Sequence, residues 1–523
     1  MLGGAAVTEE VIPGFKFSRA SYVYSLFRPQ IVAELELHRH GLTLLRRAPS
    51  SFTPTPRHGG PSLLLGADAA SDAAEIGRFS KADARAYEEY NALLERYSAA
   101  LRPLLDVAPP DLGALWPPPL RGRAAQARGW RTARDALFYA RHLLGLGAAL
   151  PGFVELLAAP ASKLLHRWFE TPILKATLAT DAVVGAMVAP STPGSAYVLL
   201  YHVMAGAWYN VRGGMGALSG AVAAAAREAG AELVAGAPVA RILVERGRAV
   251  GVALEGGGEV RAPVVLSTAA PTLTLGPLLS AEGRALLPPR LAAALRGVGV
   301  ASGSVKINLA ISALPNFRCK PSPRGQEGAP QPWHRGTIHF EEDMEQLEAA
   351  FRDAAGGAPS ARPMVEMTLP SVLDDTLAPP GKHVCLLFVQ YAPYDLPGGG
   401  WDAPGARQAF AARVYKIIED HAPGFTASII GEDILTPLDL ERVFSLPRGN
   451  ICHASMTVDQ IAFLRPAEGV ARYATPVPGL FLGGAGAHPG GGVMGAAGRN
   501  AARAIIEEHE EEWAREGLAA AKK

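Results

Sequence analysis

The sequence predicts a mixed α/β (α+β) fold of two domains, at least one of which is assembled from separate parts of the chain. At 523 residues, the chain is longer than a single compact core usually allows. The segment 213–268 predicts a helix followed by antiparallel strands, and 300–460 predicts a second sheet mixed with helices. A strand, a glycine-rich turn and a helix are predicted over 479–506.

Short extended pieces are predicted for the first 30 residues, and the helix-compatible stretch "QIVAELELHRHGL" stops at Gly41. Apolar residues at three-to-four spacing then predict helices over 80–105, 128–149 and 153–187. We interpret these helices as a helical subdomain inserted into another domain.

The next segment predicts a helix and a β-meander. Gly213 and Gly214 precede an alanine-rich helix that ends near Gly230, and a strand containing Val239 follows. Glycine turns separate the further alternating strands. Strand-like runs such as "GSVKINLAIS", "RGTIHFEE", "RPMVEMTLPS" and "KHVCLLFVQYAP" then predict a second, sheet-containing domain, together with a helix over 405–421.

Charge and cysteine content exclude several classes of function. The chain has 50 Lys and Arg residues against 49 Asp and Glu residues, so it lacks the excess of positive charge with which proteins bind the phosphates of a nucleic acid. The 3 cysteines are too far apart for a C-x-x-C redox or zinc motif, and no other metal-ligand cluster stands out.

Membrane insertion is not predicted. The most apolar region, 172–208, contains Lys175, Asp181, Pro190 and Pro193 and cannot form one clean span. Residues 1–30 also contain no uninterrupted apolar segment of the kind that targets a protein for secretion. The expectation is a protein without a transmembrane span, either soluble or in peripheral contact with a membrane.

The stretch "GLFLGGAGAHPGGGVMGAAGRNAARAII" contains G-x-G-x-x-G at Gly490, Gly492 and Gly495. It is not the start of a dinucleotide-binding βαβ unit, because "AGAHP" intervenes after the strand and no second strand follows. The turn can place backbone without side chains beside a flat ligand that gains negative charge, such as a flavin, at the N-terminus of a helix. A tight structural turn is the alternative, which the pattern alone favours.

The order of the sequence segments resembles that of one protein family. A strand ending in glycine and then "HPGGGVMGAAGRNAA" resembles the C-terminal flavin motif of the carotenoid/retinoid oxidoreductase (phytoene desaturase-like) family. Supporting segments, including "LKATLATDAVVGAMVAPSTPGSAYVLL", "RGGMGALS" and "ILTPLDLERVF", extend over nearly the whole chain. The resemblance implies an FAD-dependent oxidoreductase that transfers hydride from an apolar small-molecule substrate to the flavin.

The resemblance also implies domains and cofactor contacts. It implies an FAD-binding domain of 1–45, 205–300 and 470–510, and a substrate domain of 46–204 and 301–469. The Val239 backbone would lie against the adenine. The glycine-rich turn near the C-terminus would surround the flavin ring, the ribityl chain and the nearest phosphate. The implied contacts are Gly3, Gly4, Gly213, Gly214, Val239, Gly484, His488, Pro489, Gly490, Gly491, Val493 and Met494.

Catalytic residues are not identified by the sequence, because the flavin itself carries the hydride chemistry. His488 is a weak candidate for moving a proton near neutral pH, and a histidine that only supports the turn is at least as well favoured. Arg19 and Tyr22 are candidates for the substrate side, although the interpretation as surface residues is slightly favoured. Gln460 and Arg465 are interpreted as structural hydrogen-bonding residues.

Family members begin with a βαβ unit ahead of the glycine pair that Gly3 and Gly4 match, whereas "MLGGAA" begins at that pair. The sequence therefore predicts a Rossmann-like FAD domain that lacks its N-terminal βαβ unit. The resemblance implies a mitochondrial matrix location, with no targeting segment in this chain. The alternative function is a non-catalytic binding or regulatory protein of mitochondria that retains the flavoprotein fold and contacts a respiratory-chain subunit.

Overall fold

Strands and α-helices are mixed along the chain, which confirms the predicted α/β class. The computed structural model describes residues 2–111, 123–204 and 206–515, and the side chains of all of these except 123–131 and 511–515. The strands are β1 Thr8–Ile12, β2 Phe15–Ser18, β3 Leu44–Arg46, β4 Ser51–Thr53, β5 Leu63–Leu65, β6 Tyr209–Val211, β7 Val239–Glu245, β8 Arg248–Leu254, β9 Glu259–Arg261, β10 Val265–Ser267, β11 Val305–Ile311, β12 Thr337–His339, β13 Met364–Thr368, β14 His383–Gln390, β15 Ile429–Leu435 and β16 Leu480–Leu482.

The α-helices follow the predicted order, and the helices expected near 405–421 and after Gly214 are confirmed. The helices are α1 Pro29–Glu34, α2 Ala69–Gly77, α3 Lys81–Leu101, α4 Arg123–Leu144, α5 Leu150–Ala158, α6 Ala161–Trp168, α7 Pro172–Thr180, α8 Ser195–Val203, α9 Met215–Glu228, α10 Pro271–Thr274, α11 Ala281–Ala285, α12 Pro289–Gly297, α13 Met344–Ala355, α14 Ala406–His421, α15 Phe425–Ser428, α16 Pro437–Phe444 and α17 Ala496–Arg515.

The chain forms two compact units, each built from three segments. Unit 1 comprises Met1–Ser98, Pro151–Leu233 and Ala301–Ile451, and unit 2 comprises Ala99–Leu150, Val234–Val300 and Cys452–Lys523. This division groups the N-terminal segment with 301–451, whereas the sequence grouped it with the C-terminal turn. The assignment of the predicted segments to an FAD-binding domain and a substrate domain stays a prediction.

Unit 1 is organised around a seven-stranded sheet with the strand order β15-β11-β14-β13-β12-β4-β5. On one face, apolar side chains such as Ile307 and Leu387 pack in a core with Phe410 and Val414 of α14. Residues of β11 are buried along its whole length, so both faces of this strand are covered. On the other face, Phe17 of the β1–β2 hairpin packs in a second apolar cluster.

Unit 2 contains the predicted meander and a pair of parallel strands. Strands β7, β8 and β9 form the antiparallel meander, and β10 pairs in parallel with β16. Ile242, Leu279, Tyr473 and Leu480 belong to the apolar core that joins these elements. This core fixes the strand from which the C-terminal glycine turn leaves.

Helices long and apolar enough to cross a membrane alone are not found among the described residues. The consecutive segments Thr132–Leu144 and Gly147–Ala158 reach that length and composition only when taken together, with a bend between them.

Candidate functional site

The glycine-rich turn of residues 483–495 follows the carboxyl end of a parallel strand pair. In this pair, Val265 lies opposite Leu480 and Ser267 opposite Leu482. The turn leads into α17, which begins at Ala496. Ligands of α/β sheets bind in the crevice outside the carboxyl ends of parallel strands. The turn therefore occupies the position at which such a sheet places its ligand.

The beginning of the turn packs against the loop that follows β10. A Cβ atom on Gly484 would overlap the carbonyl oxygen of Thr268, and one on Gly486 would overlap the ring of Pro271. Backbone atoms and a proline ring cannot move aside at low cost, so both positions require glycine. The two loops at the carboxyl ends of β10 and β16 are thereby held together.

The end of the turn is open. Gly492 and Gly495 are exposed, with φ angles of 103° and 71°, and Val493 between them also has a positive φ of 53°. The 20 residues of α17 follow directly, so the positive end of the helix dipole lies at this exposed backbone. This side of the turn is open to solvent, and its approach to a flat ligand stays a prediction.

Arg465 anchors the turn from within unit 2. Its side chain is fully buried, its Nη1 atom donates to the carbonyl oxygens of Ser455 at 3.0 Å and Gln460 at 3.3 Å, and its Nη2 atom donates to those of Cys452 at 2.7 Å and Ala485 at 2.9 Å. The expectation that Arg465 is a structural hydrogen-bonding residue is confirmed. Because Ala485 follows Gly484, the guanidinium joins the turn to the chain that precedes β16.

His488 is buried inside unit 2. Its Nε2 atom lies 3.0 Å from the carbonyl oxygen of Leu104 and 3.4 Å from the hydroxyl of Tyr139, and Tyr473 donates to its backbone carbonyl at 3.1 Å. Burial lowers the pKa of the imidazole to about 4, so the ring is neutral at pH 7. The Nε2–H group therefore donates to Leu104. These contacts support the turn, and a catalytic role stays a prediction.

Replacement of His488 by glutamine is expected to flatten the acid side of the stability profile. Because the folded-state pKa of about 4 lies below the ordinary value of 6.5, the unfolded chain binds the proton more tightly, and stability falls as the pH drops through this interval. In the variant, the free energy of unfolding should depend on pH less steeply than in the wild type, by up to ~1.4 kcal/mol per pH unit. Chemical unfolding across this pH range measures the slope. His58→Gln, at an exposed histidine, should keep the wild-type slope.

The predicted contacts Gly3, Gly4, Gly213 and Gly214 all lie in unit 1. Gly3 and Gly4 are exposed, with φ angles of 91° and 53°. At the start of α9, the Gly213 amide donates to Asp374 at 2.6 Å, and the amides of the first two helical residues donate to hydroxyls of the β1–β2 hairpin. These donors already have protein acceptors, and the assignment of the four glycines to a cofactor stays a prediction.

The remaining predicted contacts lie in unit 2. Val239 is exposed at the start of β7, opposite Leu254 of β8. Among the predicted contacts in the turn, Gly484 and Val493 are half-buried, and the buried ones are His488, Pro489, Gly490, Gly491 and Met494. The structure thus brings the C-terminal contacts together in one loop. Their contact with a cofactor stays a prediction.

Sequence reasoning missed a polar face in unit 1. The interpretation of Arg19 and Tyr22 as surface residues is wrong, because both are half-buried and bound to carboxylates, Arg19 to Asp433 and Tyr22 to Glu366. Lys306, on β11, is also buried on this face. The available signal was a single charged residue inside an otherwise apolar strand sequence.

Comparison with known proteins identifies the family. The pyridine nucleotide-disulfide oxidoreductase domain-containing protein 2 of Rattus norvegicus is 50% identical over 520 residues, which cover 97% of this chain and 87% of the relative. The chain belongs to the family of that protein. The zeta-carotene-forming phytoene desaturase of Myxococcus xanthus is 28% identical over 334 residues, 63% of this chain and 58% of the desaturase. The resemblance read from the motifs is therefore confirmed, although no family model matches the chain.

Solved structures agree with this membership at the level of fold. An oxidoreductase from Methanosarcina mazei matches with a TM-score of 0.53 and 14% identity, covering 97% of this chain and 92% of that chain. A triple mutant of putrescine oxidase matches with a TM-score of 0.54 and 14% identity, covering 97% and 91%. At such low identity, the likeness establishes a shared fold alone.

Proposed function

We propose that the protein is an FAD-dependent oxidoreductase that removes hydrogen from a carbon–carbon bond of an apolar substrate. The observation that carries the proposal is the exposed backbone of Gly492 and Gly495, two residues without side chains, at the start of α17. The family's desaturase relative and the resemblance of this turn to a flavin motif support it.

The residues present fit a flavin. A bound flavin would supply the hydride-accepting chemistry, and the protein has to hold and orient it. In unit 2, Gly484, Gly490, Gly491, Val493 and Met494 would hold the ring, ribityl chain and nearest phosphate. The amides and the positive dipole end at the start of α17 stabilise a neighbouring group that becomes negative. Arg465 and the packed glycines keep this backbone in place.

The substrate and location are part of the same proposal. An apolar substrate accords with oxidation of a carbon–carbon bond, and the resemblance alone favours the mitochondrial matrix. Peripheral membrane contact would give access to such a substrate, and a respiratory-chain subunit is the partner that the resemblance suggests. Immunodetection of the endogenous protein in fractionated cells tests the location, and co-purification with mitochondria together with resistance to protease in intact mitochondria is the expected result.

Purified protein mixed with FAD and then desalted is expected to keep a flavin spectrum that bleaches on anaerobic reduction by dithionite. Gly492→Val should weaken FAD binding by about tenfold or more, because a side chain would occupy the open backbone surface. Fluorescence titration with FAD measures the change.

Gly258→Val is the matched control, since Gly258 is also exposed in unit 2 and has a positive φ of 87°. It carries the same backbone strain away from the turn and should leave FAD binding unchanged. A folded wild-type protein that stays colourless would contradict the enzyme and support the non-catalytic regulatory protein. Equal losses in the two variants would show that strain, and not the turn surface, controls FAD binding.

A further inference from the structure

A cavity of about 170 Å³ lies among three helices of unit 1. Its lining residues come from α3, from α5 with the residue that follows it, and from α6, and all of them belong to unit 1. Within each helix, the lining residues are spaced three or four positions apart, so each helix turns one face to the cavity. The cavity is therefore built by the packing of unit 1 alone.

The inner walls of the cavity are apolar. Leu156 and Leu164 are buried, and Leu93 and Trp168 are half-buried. The indole of Trp168 packs edge-on against the buried ring of Tyr90, with the centroids 6.0 Å apart, which fixes this wall. A cavity of roughly 150 Å³ with walls of this kind binds a molecule of the size of benzene. An apolar group of about six carbon atoms therefore fits the chamber.

Charged side chains of α5 and α6 stand at the edge of the cavity. The Glu155 carboxylate accepts hydrogen bonds from Lys163 Nζ at 2.8 Å and from the two terminal nitrogens of Arg167 at 2.6 Å and 3.0 Å. The hydrogen bonds from Arg167, and then that from Lys163, lower the pKa of Glu155 to about 2. The two cations therefore already stabilise one carboxylate at this edge.

The edge keeps an excess of positive charge. Among the described residues, Glu155 is the only carboxylate that pairs with Lys163 or Arg167. An ammonium has three donors and a guanidinium has five, so one carboxylate does not use them all. A second carboxylate at the edge would meet net positive charge, and an apolar body attached to it would have the chamber beside it.

We infer that this cavity binds the carboxylate form of an apolar acid whose body has about six carbon atoms. The apolar body would enter the chamber between α3, α5 and α6, and the carboxylate would face Lys163 and Arg167 at the edge. An amine of the same size would be repelled there, and an alcohol would lose the charge-assisted hydrogen bonds. Because the cavity belongs to unit 1 and the glycine turn to unit 2, the inference does not rest on the proposed oxidoreductase function.

A titration of the full chain with hexanoate, hexanol and hexylamine tests the preference for a carboxylate. The three probes have the same number of carbon atoms and differ only in the polar group. Saturation-transfer difference NMR at about pH 7, where hexanoate is negative and hexylamine positive, measures the three dissociation constants. Hexanoate should bind about threefold or more tightly than hexanol, and hexylamine should bind most weakly.

Substitutions at the edge test the role of charge. Arg167→Met should weaken hexanoate binding by about threefold and leave hexanol binding unchanged, because it removes a cation and keeps an apolar stem. Glu155→Gln should tighten hexanoate binding by about the same factor, since it removes the carboxylate that competes for both cations. Lys81→Met is the matched control, at an exposed lysine of α3, and should change neither dissociation constant.

Ala159→Leu tests the chamber. Ala159 lines the cavity, so the larger side chain would fill it and should weaken the binding of both hexanoate and hexanol by about tenfold. Ala158→Leu makes the same change at the neighbouring residue, whose side chain is exposed, and should bind both probes as the wild type does. Thermal unfolding of each variant verifies that it is folded.

Three results would overturn the inference. They are the absence of hexanoate binding by the wild type, equal affinities for hexanoate and hexylamine, and hexanoate binding that ignores both Arg167→Met and Ala159→Leu. Loss of hexanoate binding in Ala159→Leu, with no response to Arg167→Met or Glu155→Gln, would also contradict it, because the cavity would then bind apolar molecules without regard to charge.

Discussion

Arg465→Met is expected to destabilise the protein by about 3–5 kcal/mol, the largest effect of a single substitution that we expect. The guanidinium is fully buried and donates to the carbonyl oxygens of Cys452, Ser455, Gln460 and Ala485. Methionine fills much of the volume but offers no donor, so these acceptors lose their partner away from water. The glycine-rich turn of residues 483–495, which contains Ala485, should loosen first.

Denaturant unfolding and hydrogen exchange measure this effect. The exchange of amides in 483–495 should increase more than that of the β7–β9 meander in the same unit. Arg261→Met is the control, because Arg261 is exposed and forms ion pairs with Glu245 and Glu259 at the surface. The free energy of unfolding of this variant should stay close to that of the wild type. Equal stability of Arg465→Met and Arg261→Met would refute the anchoring role.

Gly484→Ala is expected to cost about 3 kcal/mol and to reduce the amount of flavin retained by the protein. The new Cβ atom would overlap the Thr268 carbonyl oxygen, and a carbonyl in the chain cannot rotate away as a flexible side chain can. The loops after β10 and β16 must therefore separate. Thermal unfolding gives the stability loss, and absorbance after desalting gives the retained flavin.

Gly297→Ala serves as the control for Gly484→Ala. Gly297 is the last residue of α12, and a Cβ atom there would meet no atom within 4 Å. Alanine should leave the stability unchanged or raise it by up to ~1 kcal/mol, because it favours the helix more than glycine does. A Gly484→Ala protein as stable as Gly297→Ala would contradict the close packing at the carboxyl ends of the strands.

The parts of the fold that the sequence predicted depend on short-range signals. Gly213 and Gly214 predicted the start of α9 because positive φ angles, here 83° and 78°, occur readily only in glycine. The turns at Gly247 and 256–258 predicted the meander, and the glycines of the final turn predicted α17 within a few residues. Each signal lies within a few residues of the structure that it specifies.

The missed parts depend on register between distant strands. Lys306, His339 and Glu366 each interrupt an apolar strand, but nothing local places them in one line under Tyr22. That line requires the order β11-β14-β13-β12, which the sequence did not predict. The contacts of His488 with Leu104 and Tyr139 were missed for the same reason. A residue's neighbours across a sheet or between helices are set by packing that single-sequence patterns do not encode.

The interleaving of the two units affects how the protein is synthesised and folds. In unit 2, β10 ends at Ser267 and its partner β16 begins only at Leu480, yet Val265 must pair with Leu480. A nascent chain emerging from the ribosome therefore carries β10 without its partner while the whole segment between Ser267 and Leu480 is synthesised. Distant pairings of this kind slow folding and expose apolar strands to aggregation, so recombinant yield should depend strongly on chaperones and temperature.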